Sequence, residues 1–421
     1  TDKKILMIIA YRFFINLIFI LSPIILIFRF LKKKEHIVRF KEKFCFFTKK
    51  RVKGKLLWFH GASVGELQSI IPLIEKIEKD KYIKKILITT NTLSSAKVIN
   101  KLNLKKTIHQ FFPIDTNYHS NKFLNYWQPS AAFFIDSEIW PNTLIKIKER
   151  KIPLILLNGR ITKKSFEKWK KIHSFSSNIF SKFDLCLAQN DQSLNYLKTL
   201  GAKNIKKIGN LKFSQSSDEF SNKSLSKIKI FFKNKSIVLV AVSTHYGEEL
   251  FCTKAFINLK KKFKNIVLII IPRHVHRAVE ISEELSALGV NVHLHSSNKA
   301  IKNSTDIYLV DTFGETKLFL KLSKIAFIGK SLSANGGQNP LEAARLGNRI
   351  IHGPNVENFT EVYDYLNKQG ISSKIKSYKN LEDLIIKFYK KKNYSQQIIK
   401  KLNYIGNQIL LKNEKEINKY L

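Results

Sequence analysis

Cysteine and acidic residues are scarce in this chain of 421 residues. The three cysteines, Cys45, Cys186 and Cys252, lie far apart and form no CxxC pair. This excludes a disulfide framework and a cysteine-based zinc site, and it is typical of a reducing compartment. Only 32 Asp and Glu face 74 Lys and Arg, which leaves a formal net charge of +42. Such a charge favours an anionic partner: nucleic acid, an anionic lipid surface or a phosphorylated substrate.

Several familiar motifs are also missing. The sequence has no GxGxxG or HExxH, which excludes dinucleotide fingerprints and zinc proteases of that type. Gly329, Lys330 and Ser331 resemble the end of a P-loop, but Lys324 stands where its first glycine belongs. No Asp-x-Asp pair is present to hold a metal–diphosphate. A phosphate leaving group would then be stabilised without metal by Arg, His and helix N-termini.

The positive charge is spread along the chain, so part of it can reflect a general drift in composition. A nucleic-acid-binding protein would concentrate basic residues with aromatic residues on one element, and this sequence does not. It would also leave an apolar N-terminal segment unexplained. We therefore expect no nucleic-acid partner.

That N-terminal segment is an uncharged apolar run over residues 13–28, between Arg12 and Arg29. Sixteen helical residues span roughly 24 Å, and residues 5–10 would extend the run if Arg12 snorkels. Lys32, Lys33 and Lys34 follow, and no small-residue cleavage site does, so we expect a retained anchor over residues 1–31. The sequence leaves a full span, an in-plane membrane helix and a buried core helix as alternatives, and it favours the first two.

From residue 55 onward, short apolar runs alternate with helical patterns, and 44% of all residues are hydrophobic. This pattern predicts two doubly wound α/β domains, over residues 32–213 and 236–395. A linker is expected over 214–235, and a helix over 396–421 that packs back on the first domain. The expected strands are residues 56–60, 86–90, 131–135, 154–157, 185–188 and 205–208, then 237–242, 267–271, 292–295, 307–310, 325–328 and 350–352.

Ligands of open parallel sheets bind at the carboxyl ends of the strands, so the loops there are the places to seek chemistry. The segment HGASVGE (residues 60–66) places Glu66 after the first strand, where it can act as a general base. The spacing of Ser63 and Glu66 is equally that of a capping box, which needs no catalytic role.

The loops after other strands also allow either a functional role or a purely structural one such as helix capping. DSEIWPN (136–142) offers two carboxylates and a tryptophan for a sugar, or simply helix caps, and Arg160 is a candidate anion clamp. Ser243 or Thr244 is expected to cap the next helix or to hold phosphate. In GGQNPLE (336–342), the glycine amides can cradle an anion, and Asn339 and Glu342 form a second potential capping box.

Eight motifs in order resemble the bacterial family of 3-deoxy-D-manno-octulosonic acid (Kdo) transferases of lipopolysaccharide assembly. The motifs are HGASVGE (60–66), DSEIWPN (136–142), NGRIT (158–162), GNLKF (209–213), STHYGEE (243–249), PRH (272–274), DTFGE (311–315) and GGQNPLE (336–342). The resemblance implies a GT-B fold, with two Rossmann-like domains facing a cleft. It implies inverting, metal-independent and cofactor-free transfer of Kdo from CMP-Kdo to the lipid A precursor, lipid IVA, on the cytoplasmic face of the inner membrane. The alternative is another membrane-associated GT-B enzyme with a different nucleotide sugar.

The resemblance also assigns roles to residues. Glu66 becomes the general base, with Ser63 and Gly65 shaping its loop and Glu138 and Arg160 on the acceptor side. The donor-side residues that it implies are Lys212, Ser243, Thr244, Arg273, His274, Gly314, Glu315, Gly336, Gly337, Asn339 and Glu342. The oligomeric state is left open.

Overall fold

The computed structural model describes residues 2–102, 104–215, 226–233, 235–390 and 394–421. Two compact units make up the chain: Thr1–Gln215 with Ile405–Leu421, and Ser216–Tyr404. Each contains a seven-stranded sheet in which the paired strands are parallel. Much of the expected linker, residues 216–225 and 234, lies outside the described residues.

The first unit has strand order β3-β2-β1-β4-β5-β6-β7. The chain builds outward from β1 to one edge and then returns to the other side of β1. The loops after β1 and β4 therefore flank the topological switch point, where ligands of such sheets bind. The strands are β1 (Leu56–His60), β2 (Lys85–Thr90), β3 (Thr107–Phe111), β4 (Ala131–Ile135), β5 (Leu154–Gly159), β6 (Leu185–Ala188) and β7 (Ile205–Lys207).

Helices cover both faces of this sheet, and the continuous apolar strands are buried between them. Trp58, fully buried on β1, satisfies its indole N–H with the Thr89 hydroxyl at 2.9 Å. The helices before the second unit are α1 (Asp2–Ile20), α2 (Ser22–Leu31), α3 (Val64–Ile77), α4 (Leu93–Lys101), α5 (Asn117–Trp127), α6 (Pro141–Glu149), α7 (Lys163–Lys171), α8 (His173–Phe180) and α9 (Asp191–Thr199), with 3-10 turns at Arg39–Phe44 and Leu211–Ser214.

The second unit repeats the plan with strand order β10-β11-β9-β8-β12-β13-β14. Its switch point lies between β8 and β12. Its strands are β8 (Ile237–Thr244), β9 (Ile266–Pro272), β10 (Val292–Leu294), β11 (Ile307–Leu309), β12 (Ile325–Ile328), β13 (Arg349–His352) and β14 (Ser372–Lys374). Its helices are α10 (Ser226–Lys233), α11 (Glu248–Lys262), α12 (Ala278–Ser286), α13 (Thr316–Leu322), α14 (Leu341–Arg345), α15 (Thr360–Lys368) and α16 (Tyr378–Tyr389), with a 3-10 turn at Val275–Arg277.

The last helix, α17 (Tyr394–Ile417), precedes a 3-10 turn at Asn418–Tyr420. Its residues from Ile405 onward belong to the first unit. There Glu414 pairs with Lys76 at 2.6 Å and Glu416 with Lys206 at 2.8 Å.

The N-terminal segment differs from the single apolar helix expected from the sequence. It forms α1 and α2, which bend by 52° at Leu21. Pro23, at the start of α2, has no N–H to continue the helical hydrogen bonds, which accounts for the break. No single helix in the described part of the chain is long and apolar enough to cross a membrane, whereas this bent pair meets the length and hydropathy criteria together.

The predicted fold class is confirmed in its two Rossmann-like domains, and every expected strand is present within two residues at each end. Two further strands, β3 and β14, were missed. Both lie at a sheet edge, where one neighbour is lacking and a continuous apolar sequence is not required.

Candidate active site

The loop after β1 leads directly into α3 and carries Glu66. Ser63 is the N-cap residue, and its Oγ accepts a hydrogen bond from the Glu66 N–H at 3.3 Å. The Glu66 carboxylate turns back to accept from the Ala62 N–H at 2.8 Å and the Ser63 hydroxyl at 2.7 Å. The Ser63 N–H also donates to this carboxylate, at 3.4 Å, and this bond completes the capping box. A Cβ on Gly65 would meet nothing within 4 Å, so the surface over this turn is open.

The capping hydrogen bonds leave part of the hydrogen-bonding capacity of the Glu66 carboxylate unused. A carboxylate has about four lone-pair sites, and the hydrogen bonds from the Ala62 N–H, the Ser63 hydroxyl and the Ser63 N–H leave about one of them for a proton. Burial raises the pKa of Glu66 to about 7, and the nearby charges of Glu138 and Asp136 add to that rise while the Ser63 hydrogen bond opposes it. A carboxyl group with this pKa is partly ionised at neutral pH and can accept a proton as a general base.

Glu138 lies in the loop after β4, the strand that pairs with β1. Its Oε2 lies 3.2 Å from His60 Nε2 and accepts a hydrogen bond from Trp140 Nε1 at 2.9 Å. Burial alone would raise the pKa of Glu138, but hydrogen bonds from His60 and Trp140 hold it below its usual value. Glu138 is therefore ionised and fixed, and its charge reaches Glu66. No local sequence signal marks His60, because its partner Glu138 is distant in sequence.

A second group of side chains surrounds Asp136 at the ends of β4 and β5. Asp136 and Asn158 have left-handed φ angles of 55° and 52°, and the Asn158 amide donates to Asp136 at 2.5 Å. Lys212 Nζ lies 3.9 Å from the same carboxylate. Burial raises the pKa of Asp136, and the charges of Lys212 and Arg160 oppose that shift. Lys212, expected on the donor side, thus lies in the first unit, beside residues that were expected on the acceptor side.

In the second unit, the loop after β8 differs from expectation. The strand extends through Ser243 and Thr244, and α11 begins after Gly247, whose φ is 83°. Neither Ser243 nor Thr244 caps this helix, so the capping alternative was wrong, and phosphate binding by these residues stays a prediction. The extra two strand residues move the helix start beyond their reach.

The Glu248 side chain holds this loop in place through hydrogen bonds, although the sequence predicted no role for it. Its buried carboxylate accepts hydrogen bonds from four backbone N–H groups, those of His245, Lys330, Ser331 and Leu332, at 2.7–2.9 Å. The last three follow β12, the neighbour of β8. Glu248 thereby ties the two loops at the switch point of the second sheet. Only the folded chain brings these amides to Glu248, so no local sequence signal marks it.

Arg273 and His274 follow β9 and are exposed. The Arg273 N–H donates to the Thr244 carbonyl at 3.0 Å. The His274 ring centroid lies 5.8 Å from that of His245 and 5.6 Å from that of His276. Desolvation, then the neighbouring His245 and His276, lower the pKa of His274. These side chains form an exposed patch rich in hydrogen-bond donors, which suits an anionic ligand.

The loop after β11 contains Gly314, with a φ of 94°, and Glu315 just before α13. The Glu315 carboxylate accepts from the Thr312 hydroxyl and lies 2.9 Å from His295 Nε2. Glu315 therefore anchors its own loop through these contacts.

The glycine pair after β12 does not offer the amides that the sequence suggested. The Gly336 N–H donates to Glu357 at 2.7 Å and the Gly337 N–H to the Lys330 carbonyl at 3.1 Å. The predicted anion cradle of these two amides was wrong, because protein acceptors already occupy them. A Cβ on Gly337 would approach the Val356 Cα to 2.9 Å, so close packing accounts for this glycine.

The second potential capping box is not formed either. Helix α14 begins at Leu341, one residue later than expected, with Pro340 at its N-cap. Asn339 Oδ1 accepts from the Leu341 N–H at 3.1 Å, while Glu342 lies 3.8 Å from Lys317 Nζ. With the later start, Glu342 falls at the second helical position and not at the third that a capping box needs.

Each unit thus gathers its predicted residues at the carboxyl edge of its own sheet. In the first, Ser63, Gly65, Glu66, Glu138, Arg160 and Lys212 follow or adjoin strand ends. In the second, Ser243, Thr244, Arg273, His274, Gly314, Glu315, Gly336, Gly337, Asn339 and Glu342 do so. Within the residues that the structure describes, no group of three His, Cys, Asp or Glu side chains is arranged to hold a metal ion.

Two parallel Rossmann-like sheets with sites at their carboxyl edges define an α/β protein of the GT-B class. UDP-GlcNAc 2-epimerase of Neisseria meningitidis, bound to UDP-GlcNAc, shares this fold: it is 14% identical over 85% of this chain and 100% of its own, with a TM-score of 0.57. The family described as 3-deoxy-D-manno-octulosonic-acid transferase (kdotransferase) matches residues 38–215.

Curated relatives named 3-deoxy-D-manno-octulosonic acid transferase extend the match. That of Rickettsia bellii is 34% identical over 97% of this chain and 98% of its own. That of Haemophilus influenzae is 28% identical over 84% of each. The chain therefore belongs to the Kdo transferase family and is a glycosyltransferase, which confirms the resemblance found from its motifs.

Proposed function

We propose that this enzyme transfers Kdo from CMP-Kdo to a lipid A precursor, lipid IVA, in lipopolysaccharide biosynthesis. The observation that carries the proposal is the Glu66 carboxyl, with a pKa near 7, at the switch point of the first sheet. Family membership supports the sugar, since the curated relatives are named for transfer of 3-deoxy-D-manno-octulosonic acid.

In the proposed reaction, Glu66 takes the proton of an acceptor hydroxyl as its oxygen attacks the anomeric carbon of Kdo. The bond from that carbon to the CMP phosphate breaks, and CMP leaves with the electron pair. Attack opposite the leaving group inverts the anomeric centre. Glu138, ionised and held by His60 and Trp140, keeps Glu66 basic enough for this step.

The departing phosphate needs positive charge and hydrogen-bond donors. Arg273, with His274 and the neighbouring His245 and His276, provides donors at the carboxyl edge of the second sheet. The loops that carry Gly314 and Asn339 complete the proposed donor site. Protein groups thereby serve the leaving group in a metal-independent reaction.

The enzyme is further proposed to work on the cytoplasmic face of the inner membrane. Large apolar side chains of α1 and α2 are exposed, and Lys32, Lys33 and Lys34 follow them on the surface. Apolar side chains next to basic ones bind anionic lipid surfaces. The most exposed include Leu6, Phe13, Ile20, Phe28 and Leu31.

The test is incubation of the purified full chain with CMP-Kdo and the lipid A precursor in detergent, with product mass as the readout. A mass increase of one or more Kdo units is expected, and CMP should compete while UDP should not. Transfer only from a UDP-sugar would refute the donor and favour another GT-B activity.

A further inference from the structure

Asp115, in the loop after β3, is fully buried and lies at the centre of a hydrogen-bond network. Its Oδ1 accepts from the Thr143 N–H at 2.8 Å, the Thr143 hydroxyl at 2.6 Å and the Ser120 hydroxyl at 3.3 Å. Its Oδ2 accepts from the Asn142 N–H at 3.0 Å and the Tyr11 hydroxyl at 2.7 Å. Five donors converge on one carboxylate.

Two of these donors are backbone amides in the first turn of α6. The N-cap residue of α6, Trp140, makes no side-chain capping bond, so Asp115 supplies the cap from another part of the chain. A negative charge at a helix N-terminus also interacts favourably with the helix dipole. The residues just before this turn are those of the acceptor-side loop, where Trp140 donates to Glu138.

The fifth donor comes from α1. Tyr11 donates to Asp115, and on the next residue Arg12 Nε donates to Asn142 Oδ1 at 3.1 Å. Met7, Ile8 and Tyr11 pack against the core of the first unit, while Phe13 and Phe14 are exposed. Helix α1 therefore touches the start of α6 directly while it presents apolar side chains outward.

We propose that Asp115 is a positioning residue for acceptor binding: through it, α1 holds the first turn of α6 and thereby the loop that carries Glu138 and Trp140. This inference rests on the proposed function, because the loop matters as part of an acceptor site. It extends that function by giving α1 a second role besides contact with lipid, since a displaced α1 would loosen the acceptor loop.

The chemistry of the network requires a carboxylate at this position. Every partner donates a proton to Asp115, so Asp115→Asn would turn an NH₂ group toward donors and leave some of them buried without an acceptor. Tyr11→Phe is a milder change, since it removes a single hydroxyl and keeps the ring that packs on the core.

The test compares Tyr11→Phe and Asp115→Asn with the wild type, using the full chain and acceptor dispersed in detergent, so that recruitment to a bilayer is not measured. The matched control is Tyr126→Phe, which removes a hydroxyl bonded to the Lys49 carbonyl at 2.7 Å and not to Asp115. The readouts are KM for acceptor and donor, and hydrogen exchange of the Asn142 and Thr143 amides.

Tyr11→Phe is expected to raise the acceptor KM about tenfold, the loss of one hydrogen bond to a charged group, with the donor KM unchanged. The two amides should exchange faster, Asp115→Asn should show larger effects, and Tyr126→Phe should behave like the wild type. An acceptor KM or an exchange rate that stays at the wild-type value in Tyr11→Phe would overturn the inference. A wild-type enzyme that transfers no Kdo would instead refute the proposed function, and the exchange rates would still decide whether Tyr11 holds α6.

Discussion

The carboxyl edges of the two sheets carry opposite chemistry. In the first unit, the charge of Glu138 lies close enough to raise the pKa of both Glu66 and Asp136, and Asp136 also raises that of Glu66. In the second, Arg273, His274 and His276 are exposed and His245 is half-buried, while the buried carboxylate of Glu248 accepts hydrogen bonds from backbone amides. The same fold thus presents a base at one sheet and hydrogen-bond donors, including the positively charged Arg273, at the other, as the proposed transfer to a hydroxyl with loss of a phosphate requires.

A smaller contrast separates the two candidate capping boxes. Ser63 and Glu66 form theirs, whereas Asn339 and Glu342 do not. A formed cap is not evidence against catalysis, because the raised pKa of Glu66 arises from burial and neighbouring charges that a cap does not need. The capping role of Glu66 and its role as a general base can therefore be tested separately by experiment.

The largest effect is expected for the base itself. Glu66→Gln keeps the size and one acceptor oxygen of the cap but cannot take a proton, so the transfer rate should fall about 10³-fold. CMP binding, measured by calorimetry, should persist. Near-normal turnover would remove Glu66 from the reaction.

Glu248→Ala is expected to damage the second unit most. Four backbone N–H groups lose their acceptor, which should lower the free energy of unfolding by about 3 kcal/mol, as measured in urea. The exposed Glu283→Ala on α12 is the control and should change it by less than about 0.5 kcal/mol. Equal stability of the two variants would show that the loops after β8 and β12 do not depend on Glu248.

Arg273→Ala tests the proposed phosphate-binding role of the exposed side chains that follow β9. Loss of a charged donor to phosphate should raise the KM for CMP-Kdo about tenfold and leave the acceptor KM unchanged. The exposed Lys261→Ala removes a positive charge elsewhere on the same unit and should have little effect. A change confined to the acceptor KM would contradict the assignment.

Ser63→Ala should have the smallest effect on activity of these variants. It removes the cap of α3 but keeps the Glu66 carboxylate, so it tests the two roles separately. Loss of the cap should cost about 1 kcal/mol of stability. Because the Ser63 hydrogen bond lowers the pKa of Glu66, its removal raises that pKa, and activity lost at neutral pH should return at higher pH. Activity lost equally at all pH values would assign Ser63 a different role.

The sequence predicted those elements whose signal is local. Central strands such as β1 and β9 are continuous apolar runs, and they are where the pattern indicated. The bend at Leu21 was missed because proline is tolerated in many apolar helices, so Pro23 did not by itself predict a break. Asp115 and Glu248 were missed because their partners, the amides of α6 and of residues 330–332, are distant in sequence and meet them only after folding.

The central claim is that Glu66, under the influence of Glu138, accepts the proton of the acceptor. The direct measurement is the pH dependence of kcat/KM for the wild type and Glu138→Gln. Since Glu66 must be ionised to act, the wild-type rate should rise with pH through an apparent pKa of about 7. Removing the negative charge of Glu138 favours ionised Glu66, so the rise should move to lower pH. A pH profile that is flat around 7, or that does not move in Glu138→Gln, would contradict the account.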